Sequence, residues 1–221
     1  MSMRNLKAII FDMDGVLVDS MEYHVRSFDK SLKEVGIDID EKDVYRLEGK
    51  GSKLVIKGLL EEEGMEVKKE ILDELVERKR EIFDEIERIK IFPEIKELLE
   101  ELKSIFDLGL VTGSNRETVE SFLDKYFQGI FDIVVTEEDT KEKKPDPAPF
   151  MKGLKKLGRK KEEIIVVENA PLGVESAKNA GLECWAVATY LEANLLKEAG
   201  ADKVFEDHEN LVKYMKEKLL N

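Results

Sequence analysis

Across 221 residues the chain carries 49 acidic against 36 basic side chains, a formal charge of −13, with 42% hydrophobic residues. That balance excludes a disordered chain, which buries too little apolar surface to fold, and argues against nucleic acid or an anionic membrane as a partner. A single cysteine, Cys184, excludes a disulfide framework and a thiol-rich metal site, and no run reaches the apolar length of a membrane span or a secretion signal, so the cytosol is the expected compartment.

The first element is a short apolar run at 8–11, Ala-Ile-Ile-Phe, which reads as a buried strand because it does not alternate. It ends in Asp12-Met13-Asp14-Gly15. Two carboxylates one residue apart at a strand exit can share one small volume, with the glycine allowing the tight turn. A calcium loop starting at Asp12 would need glutamate at its twelfth position, where the chain has Tyr23. From Asp19 the pattern becomes helical. Asp19 and Glu22 resemble a capping box, and Val25, Phe28, Leu32 and Val35 recur at helical spacing up to Gly36. Further helices are expected at 41–48, 52–63 and 68–90, the last with Leu72, Leu75, Val76, Phe83, Ile86 and Ile89 on one stripe. Residues 19–90 thus read as an all-helical block inserted after the first strand, with hinges near 17–20 and 89–93.

Pro93 is placed to open a helix through about 104. Strands then alternate with helices: strands at 108–112, 132–136, 163–168, 184–188 and 203–205, helices at 115–127, 147–157, 172–180, 192–199 and 209–219. The expected fold class is α/β, a doubly wound parallel sheet with helices on both faces, formed by residues 1–18 and 91–221.

Three further strand ends carry chemistry. Thr112-Gly113-Ser114-Asn115-Arg116 joins a hydroxyl to the free N–H groups of the next helix, an anion site, with Ser114 and Glu117 spaced to cap that helix. Lys144 stands directly before Pro145-Asp146-Pro147, where its ammonium can serve as a point charge for phosphate. Glu168-Asn169 ends another strand with oxygen ligands of the kind Mg²⁺ takes. Alone, each also describes an ordinary strand exit or capped helix.

Together, in the order Asp-x-Asp, Thr, Lys, Glu-Asn, they resemble the haloacid dehalogenase superfamily of phosphohydrolases, in its branch with a helical cap. The resemblance implies Asp12 as the nucleophile that forms an aspartyl-phosphate and Asp14 as general acid/base. It implies Thr112 and Lys144 as phosphoryl holders, with Gly113, Ser114 and Arg116 beside them. Mg²⁺ would be held by the Asp12 carboxylate, the Asp14 backbone carbonyl and Glu168-Asn169. On the helical block His24, Lys50 and Lys53 are the candidate substrate contacts. Asn169 departs from the acidic residue usual at its position, which removes a negative charge from the metal site. The implied activity is a Mg²⁺-dependent phosphatase acting on a small phosphorylated metabolite; separately, a monomer is expected. A β-phosphoglucomutase-like phosphomutase is the alternative, but Ser52 falls where a phosphate-gripping arginine is expected. Asp14 argues against a dehalogenase, and a non-catalytic binding protein is the remaining alternative. Lys and Glu dominate the 38% charged fraction, the bias of heat-adapted proteins.

Overall fold

The computed structural model describes residues 5–65 and 68–220. The expected segments 1–18, 19–90 and 91–221 include residues 1–4, 66–67 and 221, which lie outside the described residues. Six strands form one parallel sheet: β1 (Ala8–Phe11), β4 (Asp107–Val111), β5 (Ile133–Val135), β6 (Ile164–Glu168), β7 (Glu183–Val187) and β8 (Lys203–Phe205). Their order is β5-β4-β1-β6-β7-β8, so β1 is central, with Phe11 opposite Leu110 on one side and Val167 on the other.

Helices cover both faces, which is why the central strands are continuously apolar. Ile9, Phe11, Leu108, Leu110, Ile165 and Val167 face one core with residues of α5 (Ile95–Lys103), α6 (Arg116–Tyr126) and α10 (His208–Met215). Ala8, Ile10, Val111, Ile164 and Val166 face the other with α7 (Ala148–Leu157), α8 (Pro171–Asn179) and α9 (Ala193–Glu198). The period-two pleat assigns alternate residues to the two cores, and each fully buried Ile or Val stabilises by roughly 1.5–3 kcal/mol.

Between β1 and β4 the chain forms α1 (Met21–Lys33), α2 (Glu41–Arg46), α3 (Ser52–Glu62) and α4 (Lys69–Ile86). Their apolar stripes meet in a third core containing Phe28, Leu32, Val55, Ile56, Leu60, Leu72 and Leu75. Two expectations shift here. Val35 lies beyond the end of α1 and is 41% exposed. The helix expected over 41–48 stops at Arg46, because the turn that follows needs left-handed backbone at Gly49 and Gly51.

The two hinges are joined. β2 (Val18–Asp19) pairs antiparallel with β3 (Lys90–Ile91), and the Phe92 N–H donates to the Leu17 carbonyl at 3.1 Å. The ribbon ends α4 before residue 90 and keeps Phe92 from entering a helix. Pro93 therefore sits in a turn rather than opening α5, which starts at Ile95 after Glu94 takes a left-handed φ of 59°. Elements of two residues leave no periodicity to read.

Candidate active site

Asp12 continues from β1, its N–H donating to Val167 O at 2.9 Å. The chain then turns sharply, with Leu17 N–H on Met13 O and Gly15 N–H on Val18 O, both at 2.9 Å. Gly15 has φ 77°, and a Cβ there would lie 2.1 Å from the Asn169 amide nitrogen. Glycine is required on both counts.

The two aspartates sit in opposite settings. Burial pushes Asp14 up, but hydrogen bonds from His24, Ser20 and Ser114 outweigh it and hold the carboxyl below the usual range. Ser20 Oγ and His24 Nε2 meet Oδ1, the latter at 3.3 Å, and Ser114 Oγ donates to Oδ2 at 2.7 Å. Among the described residues Asp12 pairs with one cation, Lys144, whose Nζ donates to its Oδ1 at 2.6 Å. Burial, with Glu168 and Asp14 nearby, pushes Asp12 up to about 8 against the partial relief from Lys144.

Lys144 Nζ also donates to Glu168 Oε1 at 2.6 Å. Burial disfavours its charge, but the two carboxylates outweigh burial and raise its pKa. Glu168 Oε2 accepts from the N–H groups of Asn169 and Ala170, at 3.0 and 3.3 Å. One ammonium is thus shared between carboxylates in a buried cluster, and the excess charge favours a further cation.

His24 stacks on Phe83 at 4.3 Å, and Lys79 Nζ lies 2.9 Å from its Nδ1. Because Lys79 only donates, Nδ1 accepts and Nε2 carries the proton it gives to Asp14. Burial and the Lys79 charge depress the imidazole pKa, consistent with that neutral form. Burial lowers Lys79 itself to about 8.

These residues line a cavity of about 160 Å³ between the strand ends and the helical block. Asp12, Asp14, Thr112, Gly113, Ser114, Lys144 and Glu168 form its floor; His24, Phe28, Glu48, Ser52, Lys79 and Phe83 come from the block. The α2–α3 loop lies on the lysine stem, since a Cβ at Gly49 would come within 2.9 Å of Lys144 Cδ.

Several expected contacts fall elsewhere. Arg116 pairs with Asp139 at 2.7 Å, and Lys53 pairs with Asp73. Neither they nor Lys50 lines the cavity: half-buried Asp139 holds Arg116, and exposed Asp73 holds Lys53, away from it. Ser114 does not cap α6. Asn115 does, accepting from the Thr118 N–H at 3.0 Å, which frees the Ser114 hydroxyl for Asp14. Likewise Ser20 rather than Asp19 precedes α1, and its side chain serves Asp14 instead of a cap.

Sequence reasoning missed Ser20, Glu48 and Lys79. Lys79 had a legible signal: it continues the Leu72, Leu75, Val76 stripe of α4, and a lysine on an apolar face is 4% exposed there. Glu48 sits in Leu47-Glu48-Gly49, a stretch that resembles a β-phosphoglucomutase cap, but nothing in its spacing gives the side chain a role.

Among the described residues no group of three or more His, Cys, Asp or Glu side chains is arranged to hold a metal ion. A cation here would need a mixed oxygen set, and one member is present in the right state. Asn169 Oδ1 is buried with no hydrogen-bond partner, and Asp12 and Glu168 supply carboxylates of the hard type a small divalent ion takes.

A family profile described as haloacid dehalogenase-like hydrolase matches residues 9–187. The chain is 33% identical over 184 residues to a phosphoglycolate phosphatase of Aquifex aeolicus, covering 80% of this chain and 82% of that one. It is 31% identical over 208 residues to a phosphorylated carbohydrates phosphatase of Thermotoga maritima, covering 89% and 92%. A solved structure from Bacteroides vulgatus, named for β-phosphoglucomutase, superposes with a TM-score of 0.90 at 35% identity, covering 98% and 89%. The chain belongs to the haloacid dehalogenase-like hydrolase family and is an enzyme of the phosphatase and phosphomutase-like group within it.

Proposed function

We propose that the chain is a Mg²⁺-dependent phosphatase that hydrolyses a small phosphomonoester, such as a sugar phosphate, through a covalent phosphoryl group on Asp12. The observation that carries this reading is the pair Asp12 and Asp14: two carboxylates in one cavity, the first held by the Lys144 ammonium and the second by Ser20, His24 and Ser114. An Asp12 oxygen attacks phosphorus as the ester P–O bond breaks, and Asp14 protonates the leaving oxygen. Asp14 then takes a proton from water, which attacks the same phosphorus and frees Asp12 and inorganic phosphate. The resting cavity keeps Asp14 ionised, and a bound phosphate dianion beside it raises its proton affinity, as a like charge does. Thr112 Oγ1 accepts from the Ser114 N–H at 3.1 Å, which leaves its own O–H to donate to a phosphoryl oxygen alongside the Lys144 ammonium.

The donors fit Mg²⁺: Asp12, the Asp14 backbone carbonyl, Glu168 and Asn169 would hold it. When bound, it would supply the positive charge that keeps Asp12 ionised and reduces its repulsion with the substrate phosphate. In this reading residues 1–18 and 91–221 are the catalytic core, and 19–90 are a cap moving on the β2–β3 ribbon to exclude water. The proposal includes a cytosolic monomer with no nucleic-acid or membrane partner. The charge of −13 supports the former, and no described helix is long and apolar enough to cross a membrane. Its Lys- and Glu-rich composition supports adaptation to heat.

The phosphomutase reading draws on the likeness to the Bacteroides vulgatus structure. A mutase must grip a second phosphate under the cap. Lys50 and Lys53 do not line the cavity, Ser52 does, and Lys79 is engaged by His24. That favours hydrolysis. Phosphate release from a panel of phosphomonoesters, with and without Mg²⁺, is the test. Turnover that requires Mg²⁺ is expected for at least one sugar phosphate. Release from none, with interconversion of hexose phosphates in the presence of a bisphosphate primer, would establish the mutase instead.

A further inference from the structure

The Asn169 amide is fixed from across the site, and the group that fixes it belongs to the helical block. Asn169 is 2% exposed. Its Nδ2 donates to Glu48 Oε1 at 3.0 Å and is wedged against Gly15. In its ionised form, which a cation in this cluster would favour, Glu48 only accepts, so it holds the amide by its nitrogen alone and turns the oxygen the other way. The oxygen is thereby committed, and it is the one described buried side-chain polar atom with no hydrogen-bond partner. Buried carbonyl oxygens are almost always satisfied. Here the neighbouring turn residue Glu168 and the nearby Asp12 already compete for one ammonium, and burial, with Asp12, Glu168 and Asp14 close by, pushes the Glu48 carboxyl well above its usual range while no cation is bound. Both the orphaned oxygen and the charge excess call for a cation.

We propose that Glu48 is a positioning residue for the cation site. Reaching over from the α2–α3 loop, it locks the Asn169 amide with Oδ1 presented as a ligand, and it adds a negative charge close to a ligand that carries none. Closure of the helical block and cation binding then reinforce each other, since any affinity that closure adds to the cation is returned by the cation to closure. The inference rests on the Mg²⁺ reading above.

Calorimetric titration of the substrate-free protein with Mg²⁺ tests it without reference to turnover. Glu48→Gln keeps the shape but can offer either an oxygen or an NH₂, so both the charge and the one-way orientation are lost. Its Mg²⁺ affinity is expected to fall about ten-fold or more, the range seen when a group behind a metal ligand is removed, with the metal-free thermal midpoint unchanged. Adding Asn169→Asp in that background supplies a ligating oxygen whichever way the side chain sits, and is expected to recover most of the loss. Hydrogen exchange of residues 47–51 should slow with Mg²⁺ in the wild type and not in Glu48→Gln. A single variant that titrates like the wild type, or a double variant as weak as the single, overturns the proposal. A wild-type chain that binds no Mg²⁺ at millimolar concentration overturns the metal reading, and this inference with it.

Discussion

Asp12→Asn is expected to abolish turnover, lowering kcat by on the order of 10⁴-fold or more, the scale of removing a nucleophile that acts as a unit with its partners. The substitution is nearly isosteric, so the cavity keeps its shape. What is lost is the anionic oxygen that attacks phosphorus, and an amide oxygen does not replace it. The fold should survive. Removing one partner of a buried ion pair ordinarily costs about 3–5 kcal/mol, but Lys144 here keeps Glu168 at 2.6 Å, and burial already disfavours a charge on Asp12. The thermal midpoint of the variant should therefore equal or exceed that of the metal-free wild type. A variant that is inactive because it is unfolded would show up in the same scan and would count against this account of the charge balance.

Lys144→Met has the opposite signature, losing both stability and activity. Methionine fills the channel beneath Gly49 without a charge, leaving Asp12 and Glu168 buried and mutually repelling. The expected cost is about 3–5 kcal/mol, the penalty for uncompensated buried charge. The deficit should grow with pH. In the wild type the Asp12 carboxyl is raised from 3.8 to about 8, and Lys144 is the group that restrains that rise. A raised carboxyl leaves the folded state holding more protons than the unfolded one, so stability is full below the unfolded pKa and is lost as pH rises. Without Lys144 that window lengthens upward. Chemical denaturation of the variant at pH 5 and pH 8 should give a larger deficit at pH 8, and kcat/KM should fall on the order of 10²–10³-fold, as for loss of one preorganised donor. Equal deficits at both pH values would mean that the lysine's role is packing rather than charge.

Much of this was legible in the sequence because the chemistry hangs on local signals. Ala8–Phe11 announces a buried strand, and its following aspartates inherit their place from it. Thr112, Lys144 and Glu168-Asn169 follow for the same reason, each set by the end of its own strand or by the loop beyond it. What was not legible depends on how the helical block sits over the sheet. Ser20, His24 and Ser114 converge on Asp14 although they come from two sides of the cleft. Nothing in their spacing says so. Ser114 looks like a helix cap in the sequence and Ser20 lies beside the expected cap Asp19, and only the packed structure brings both hydroxyls to Asp14. Arg116 and Lys53 misled for the converse reason: a cation near a motif is free to serve substrate only if no other carboxylate claims it first. The β2–β3 ribbon was hidden by length, with two residues in each strand. The consequence of Asn169 was visible as a missing charge, but its partner Glu48, 121 positions earlier in the chain, was not.

The most direct measurement is to quench the enzyme during turnover of its best substrate, digest it, and weigh the peptide that contains Asp12. One added phosphoryl group is expected on that peptide, confined to Asp12, absent in Asp12→Asn and longer-lived in Asp14→Asn, which lacks the base that activates water. An active enzyme with Asp12 never phosphorylated, and inversion rather than retention of configuration at phosphorus, would contradict the covalent route.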